Sequence, residues 1–166
     1  MKKYEFTGET KKVEMLFRIV TLHRIRATVS FGLVEVGELG GWIEKEENLS
    51  HDGKAWVCGD AKVWGNAKVW GNAEVWGNAE VFSASHVLVI GAIGSRNDFT
   101  TFYRDKDNEI TVKCGCFLGK IDKFLQKVTE THGDSKYALV YRAAVEVAKL
   151  QIDLSGEAPK EEDGAE

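Results

Sequence analysis

Val63-Trp64-Gly65-Asn66-Ala67-Lys68, Val69-Trp70-Gly71-Asn72-Ala73-Glu74 and Val75-Trp76-Gly77-Asn78-Ala79-Glu80 are consecutive copies of one six-residue phrase, and they decide how this chain is read. Degenerate copies flank them, beginning at Val57 (Val-Cys-Gly-Asp-Ala-Lys), Val81, Val87 and Ile93. A short fixed period is a statement about the whole fold and is read before local propensity. An aliphatic residue holds the first position and a small alanine the fifth, with Gly-Asn between them. Both residues of that pair tolerate left-handed backbone, so each phrase reads as a very short strand and a corner. Six residues a side and three sides a turn close a coil of eighteen residues, a parallel β-helix. An alternating antiparallel sheet is the rival, and it has no use for glycine at every sixth position.

Trp64, Trp70 and Trp76 follow inward valines directly, so their side chains point out of such a coil. They fall on three different faces, and one turn later Phe82 stands over Trp64 and Leu88 over Trp70. A covered Trp buries roughly 150–250 Å², so these rings need something over them. Other parts of the chain, a stacking ligand or a second copy could each supply it. The expectation taken forward is a homo-oligomer, dimer or trimer, joined through Trp64, Trp70, Trp76 and Phe82.

The phrase resembles the hexapeptide repeat of left-handed β-helix proteins, in which an aliphatic residue and a small one four later point inward. The resemblance spans roughly a quarter of the chain, and handedness comes from it alone. The expected fold class is therefore mainly β: a short left-handed parallel β-helix with an N-terminal β segment and a C-terminal ββαα cap. The expected boundaries are residues 1–41 for the β segment, 42–95 for the β-helix, 96–154 for the hairpin and two-helix cap, and 155–166 for an acidic disordered tail.

Working outward, Thr21 to Val29 reads as a strand, while Val13 to Val20 fits a strand or helical turns equally. Up to position 30 the chain carries seven Lys or Arg against three Glu; residues 31–60 carry seven acids against two lysines. Pairing of these neighbouring segments is the plain meaning, and a ligand site at His23, Arg24 and Arg26 is the alternative. Ile43, Leu49, Ala55 and Ala61 are spaced by six, so the rhythm begins before the perfect repeats. After Ile93, Phe99 to Arg104 and Glu109 to Cys114 flank a polar turn, the pattern of a β-hairpin. Two helices follow. Ile121, Phe124, Leu125 and Val128 face inward on the first, with Gly133 as its cap. Tyr137, Val140, Tyr141, Ala144 and Ala148 form the stripe of the second, begun by Asp134 or Ser135.

The formal charge of −4 sits in the last twelve residues, and the body carries 21 acids and 21 bases. That balance excludes a large electrostatic footprint for duplex nucleic acid. No apolar run reads as a secretory signal or reaches the roughly 20 residues that span a bilayer, so no membrane partner is expected. Cys58, Cys114 and Cys116 read as reduced thiols of a cytoplasmic protein. Cys114-Gly-Cys116 could supply half of a zinc site, but its supplements, Cys58 and His132, belong to other elements, so no metal is expected. No phosphate-cradling glycine loop or nucleophile elbow is present, and no cofactor is expected.

Hexapeptide β-helix proteins include acyltransferases with a histidine base, and His86 is the one histidine within the repeats. It is a weak catalytic candidate, because it lacks a partner acid and the coil is short. Gly94-Ser95-Arg96-Asn97 combines backbone donors with a guanidinium fork suited to phosphate or carboxylate. Arg96 and Asn97, with Arg24, Arg26 and Arg104, are the candidate ligand contacts; a hinge pairing Arg96 with Asp98 is the structural alternative.

Leu22-His-Arg-Ile-Arg26, Gly37-Glu-Leu-Gly-Gly-Trp-Ile43, Glu47-Asn-Leu-Ser50, the repeats, Gly94-Ser-Arg96, Cys114-Gly-Cys-Phe117, His132-Gly133 and Tyr141-Arg-Ala-Ala144 together resemble a type of protein found in phages and prophages. That resemblance implies context rather than catalysis: a small protein of the host cytoplasm acting on host machinery. The function expected is a non-enzymatic binding protein that inhibits or sequesters a host-defence component, either a host protein or a small nucleotide-like anion. A hexapeptide-repeat acyltransferase and a structural or assembly protein are the alternatives.

Overall fold

Each hexad glycine turns its corner in left-handed backbone, with φ of 65° at Gly59, 64° at Gly65, 64° at Gly71 and 67° at Gly77. At Gly65 the corner is also tight, because a Cβ there would stand 2.6 Å from the Phe82 carbonyl oxygen. Between corners the valines and alanines point inward. Val57, Val63, Val69, Val75 and Val81 join Ala55, Ala61, Ala67, Ala73 and Ala79 in one buried cluster. The corner asparagines tie successive layers: the Asn72 side chain accepts from the Lys54 N–H at 3.3 Å, and Asn66 from the Ala84 N–H at 3.2 Å.

The computed structural model describes residues 1–156 and 159–161. In chain order the strands are β1 (Tyr4–Met15), β2 (Arg18–Ala27), β3 (Leu39–Ile43), β4 (Trp56–Val57), β5 (Lys62–Val63), β6 (Glu74–Val75), β7 (Glu80–Val81), β8 (Val87–Ile93), β9 (Asp98–Arg104), β10 (Ile110–Cys114) and β11 (Phe117–Lys120). Helices α1 (Ile121–His132) and α2 (Lys136–Gln151) and a two-residue strand β12 (Lys160–Glu161) complete the described chain.

The fold is mixed α/β, which corrects the expectation of a mainly β molecule built on a left-handed parallel β-helix. No sheet among the described residues is a solenoid. A six-stranded mixed sheet runs β12-β1-β2-β3-β5-β7, a four-stranded antiparallel sheet runs β11-β10-β9-β8, and β4 pairs with β6 in parallel. Among the described residues parallel pairing is limited to β3-β5, β4-β6, β5-β7 and an isolated Leu49–Val69 bridge, and the hexad strands β4 to β7 are two residues each. Strands that short leave edges they cannot satisfy alone. The antiparallel hairpin β1-β2 continues one edge through β3. On the other side β9 approaches: the Tyr103 hydroxyl donates to the Trp76 carbonyl at 2.9 Å, and the Glu74 N–H donates to Thr101 Oγ1 at 3.1 Å.

The hexad rhythm also ends earlier than its spacing suggests. Val87 and Ile93 are the ends of one continuous strand, β8, rather than starts of further hexads. The reason is local: Leu88-Val89-Ile90 offers no Gly-Asn corner, so the chain stays extended and pairs with β9, with a register shift between Ile90 and Ile93. Leu88 consequently packs with the helical layer instead of over Trp70. Val13 to Val20, undecided from sequence, forms the ends of β1 and β2 and the turn between them.

Gly40 and Gly41 show why the chain enters the repeats as it does. A Cβ on Gly40 would lie 2.6 Å from Ile25 Cγ1, and one on Gly41 would lie 2.6 Å from the Ala61 carbonyl oxygen. The sheet β8–β11 carries the two helices through Phe102, Ile110, Val112, Phe124, Val128, Tyr141, Val145 and Ala148. Gly133 ends α1 with φ of 56°, its N–H donating to the Thr129 carbonyl. Tyr137, expected in the α2 stripe, is exposed and turns toward His132 instead. The expected disordered tail at 155–166 lies largely outside the described residues, and within it Lys160 and Glu161 pair with Glu14 and Val13.

Candidate ligand-binding site

The loop after β2 (residues 28–38), the repeats, and the β8-β9 and β10-β11 turns enclose a cleft of about 790 Å³. Such a volume falls within the roughly 300–1,000 Å³ typical of small-molecule sites. Phe31 to Val34 form one wall, and the Lys54 stem lies against it, 3.6 Å from where a Cβ on Gly32 would stand. Asn72, Glu74, Trp76 and Thr101 line the cleft between that wall and a second one. The second wall brings Arg96, Asp98 and Phe99 from the β8-β9 connection and Lys113, Gly115, Cys116 and Leu118 from β10-β11.

Glycine sets the wall that carries Arg96. Gly94 holds φ of 76°, and a Cβ there would collide with the Tyr141 hydroxyl, so the turn is seated directly on α2. Burial pushes that hydroxyl up to about 12, with the Cys114 thiol beside it adding to the shift. Asn97 takes φ of 53° to complete the turn and is exposed. Arg96 Nη1 then reaches within 3.4 Å of where a Gly115 Cβ would be. Among the described residues Arg96 makes no hydrogen bond or ion pair, and the Asp98 pairing considered from sequence does not form. Asp98 Oδ1 instead accepts the Phe99 N–H at 2.7 Å.

Lys113 is committed within the cleft. Its Nζ stands 3.3 Å from Glu74 Oε2 and 5.0 Å from the centre of the Trp76 ring, and it donates to the Gly115 carbonyl. The cleft is thus lined by the rings of Phe99, of Trp76 with Lys113 over it, and of Phe31 with Lys3 Nζ 4.7 Å over it, by two cations without ion pairs among the described residues (Lys54 and Arg96), and by two carboxylates. Ordinary turn and alternation patterns carried no sign that Lys54 and Lys113 would line the same cleft as Arg96.

The other candidate contacts lie elsewhere. Arg24 Nε donates to the Gly40 carbonyl at 3.0 Å, with its guanidinium over Trp42, and Arg26 pairs with Glu5 at 2.5 Å. Lys2–Glu46 and Arg18–Glu44 join the basic and acidic N-terminal segments. Arg104 is fully buried, donating to Asn108 Oδ1 at 2.8 Å and to the Glu80 carbonyl at 3.3 Å, with the Glu80 carboxylate 3.9 Å away. A charge so enclosed holds β9 to β7 rather than meeting a ligand.

His86 is also inside, 3% exposed, with Nδ1 accepting the Phe82 N–H at 3.2 Å and its ring edge-on to Phe82. Burial, and then the nearby Arg104 cation, lowers its pKa to about 4. A general base has to reach its substrate, and this ring does not. Of the expected interface residues, Trp64 is fully buried and stacks on Phe82 at 4.8 Å beneath β1 and β2. Trp76 lines the cleft, and Trp70 alone of the three is open, at 65% exposure. Cys114 Sγ accepts from Thr100 Oγ1 at 3.3 Å, and all three thiols are free. No helix among the described residues is long and apolar enough to cross a membrane.

No protein-family model matches this sequence, and no curated protein matches it either.

Proposed function

We propose that this is a non-enzymatic binding protein that sequesters a small nucleotide-like anion in the cleft beside Arg96. One observation carries the reading: a guanidinium without a hydrogen bond or ion pair among the described residues shares a cleft with the Trp76 and Phe99 rings. A planar base stacks on such faces for roughly 1–3 kcal/mol per base, and a phosphate accepts from the guanidinium fork. The setting proposed is phage interference with host defence in the host cytoplasm, supported by the resemblance to phage and prophage proteins over residues 20 to about 150. Removing a defence signal needs affinity and no chemistry, which agrees with the buried His86.

Native mass spectrometry of protein purified from infected, defence-active cells tests this. A bound small anion, present on the wild type and lost from Arg96→Ala, is the expected result. A host protein co-purifying with an empty cleft would replace sequestration by direct inhibition. Turnover of an acyl-CoA abolished by His86→Ala would overturn both.

A further inference from the structure

The charge arrangement of the cleft narrows the class of ligand, an inference that rests on the sequestration reading above. Lys54, Arg96 and Lys113 face Glu74 and Asp98, three cations against two carboxylates, a balance of +1. Lys113 is spent on Glu74, the Gly115 carbonyl and the Trp76 face. The two remaining cations stand on different walls: Lys54 against the Gly32 loop, Arg96 against the Gly115 turn. Each can meet one singly charged group. Asp98 lines the same wall as Arg96, with one carboxylate oxygen occupied by the Phe99 N–H, leaving the other as an acceptor.

A nucleoside triphosphate concentrates its charge at one end, and here that end would meet a single guanidinium and a carboxylate. The like-charge contact opposes it. A mononucleotide would satisfy one cation and leave the second wall unused. The volume, about 790 Å³, lies in the upper part of the range for small-molecule pockets, roughly 300–1,000 Å³. Aromatic rings are present at both walls, Phe31 on one and Phe99 on the other, with Trp76 between. We infer that the cleft takes a dinucleotide: two nucleobases joined through singly charged phosphates, one phosphate on Arg96 and one on Lys54. Asp98 then accepts from a ribose hydroxyl or an exocyclic amine.

Calorimetric titration of the whole chain with nucleoside 5′-monophosphates, nucleoside triphosphates and cyclic dinucleotides, whose two phosphates are both singly charged diesters, each with all four bases, tests the inference. Wild type, Lys54→Ala and Arg96→Ala are compared, with thermal melting to show that each variant is folded. At least one dinucleotide should bind tenfold or more tighter than its mono- and triphosphate counterparts. Lys54→Ala should erase that margin while leaving the monophosphate unchanged, and Arg96→Ala should weaken both. A mono- or triphosphate that binds as tightly as any dinucleotide, or equal losses for mono- and dinucleotide in Lys54→Ala, would overturn the dinucleotide inference and leave sequestration standing. No binding by any of the three classes would sink both.

Discussion

His86 and the tryptophans show how much a single position depends on what covers it. His86 is buried with a pKa lowered to about 4, so the folded state binds fewer protons than the unfolded chain below its ordinary value near 6.5. Its contribution to stability is therefore fully present above about pH 6.5 and is lost as pH falls toward 4, on the order of 2–3 kcal/mol across that window. Burial raises the pKa of Glu80, which acts in the opposite sense, so the His86 effect is read as a difference between proteins. Urea midpoints at pH 7 and pH 4.5 should fall further for the wild type than for His86→Asn. An equal fall in both would show that this ring does not govern the acid limb. Trp64→Ser should cost roughly 3–5 kcal/mol, as a core aromatic does, whereas Trp70→Ser at an open site should change stability by about 0.5 kcal/mol or less. Chemical denaturation of the two variants checks the contrast, and similar losses would contradict the placement of Trp64 under β1 and β2.

At the scale of elements, the corner glycines carry different loads despite one sequence phrase. Gly71 and Gly65 share φ of 64°, but nothing lies within 4 Å of a Cβ on Gly71, while one on Gly65 meets the Phe82 carbonyl at 2.6 Å. Alanine at either position pays the left-handed backbone cost of roughly 1–2 kcal/mol. Gly65→Ala must in addition displace a backbone carbonyl of the next layer, which adds about 1 kcal/mol or more. Melting temperatures should therefore rank wild type above Gly71→Ala above Gly65→Ala; the reverse order of the two variants would reject the layer contact. The same corners explain where the rhythm stops. With no Gly-Asn after Leu88, the chain extends into β8 and hands over to an antiparallel sheet.

For the whole molecule, self-association is a prediction that now rests on Trp70, the one expected interface tryptophan left open, at 65% exposure. Light scattering at micromolar concentration should give a multiple of 18.5 kDa, reduced toward that value in Trp70→Ser without loss of folding. A wild type that already scatters as 18.5 kDa would remove self-association from the account. The candidate cleft belongs to this scale as well. Its walls come from residues 31–34, 54, 72–76, 96–101 and 113–118, segments far apart in the chain.

The sequence by itself determined what repeats within a few residues: the corners at the hexad glycines, the inward register of valine and alanine, the hairpin across Asp105 to Asn108, and the two helices with Gly133 between them. These follow from backbone freedom and side-chain periodicity, which act locally. Arg96 was legible as a candidate, because its turn chemistry and guanidinium are local properties too, and it does line the cleft. Only the tertiary structure decided the rest. Two-residue strands cannot satisfy their own edges, so the hairpin β1-β2 and the strand β9 close them, and the product is a mixed sheet with helices rather than a coil standing alone. That closure buried Trp64, enclosed His86 and Arg104, and set Lys54 and Lys113 in one cleft with Arg96. Such outcomes depend on which distant segment covers which face, and no spacing within a six-residue phrase carries that information.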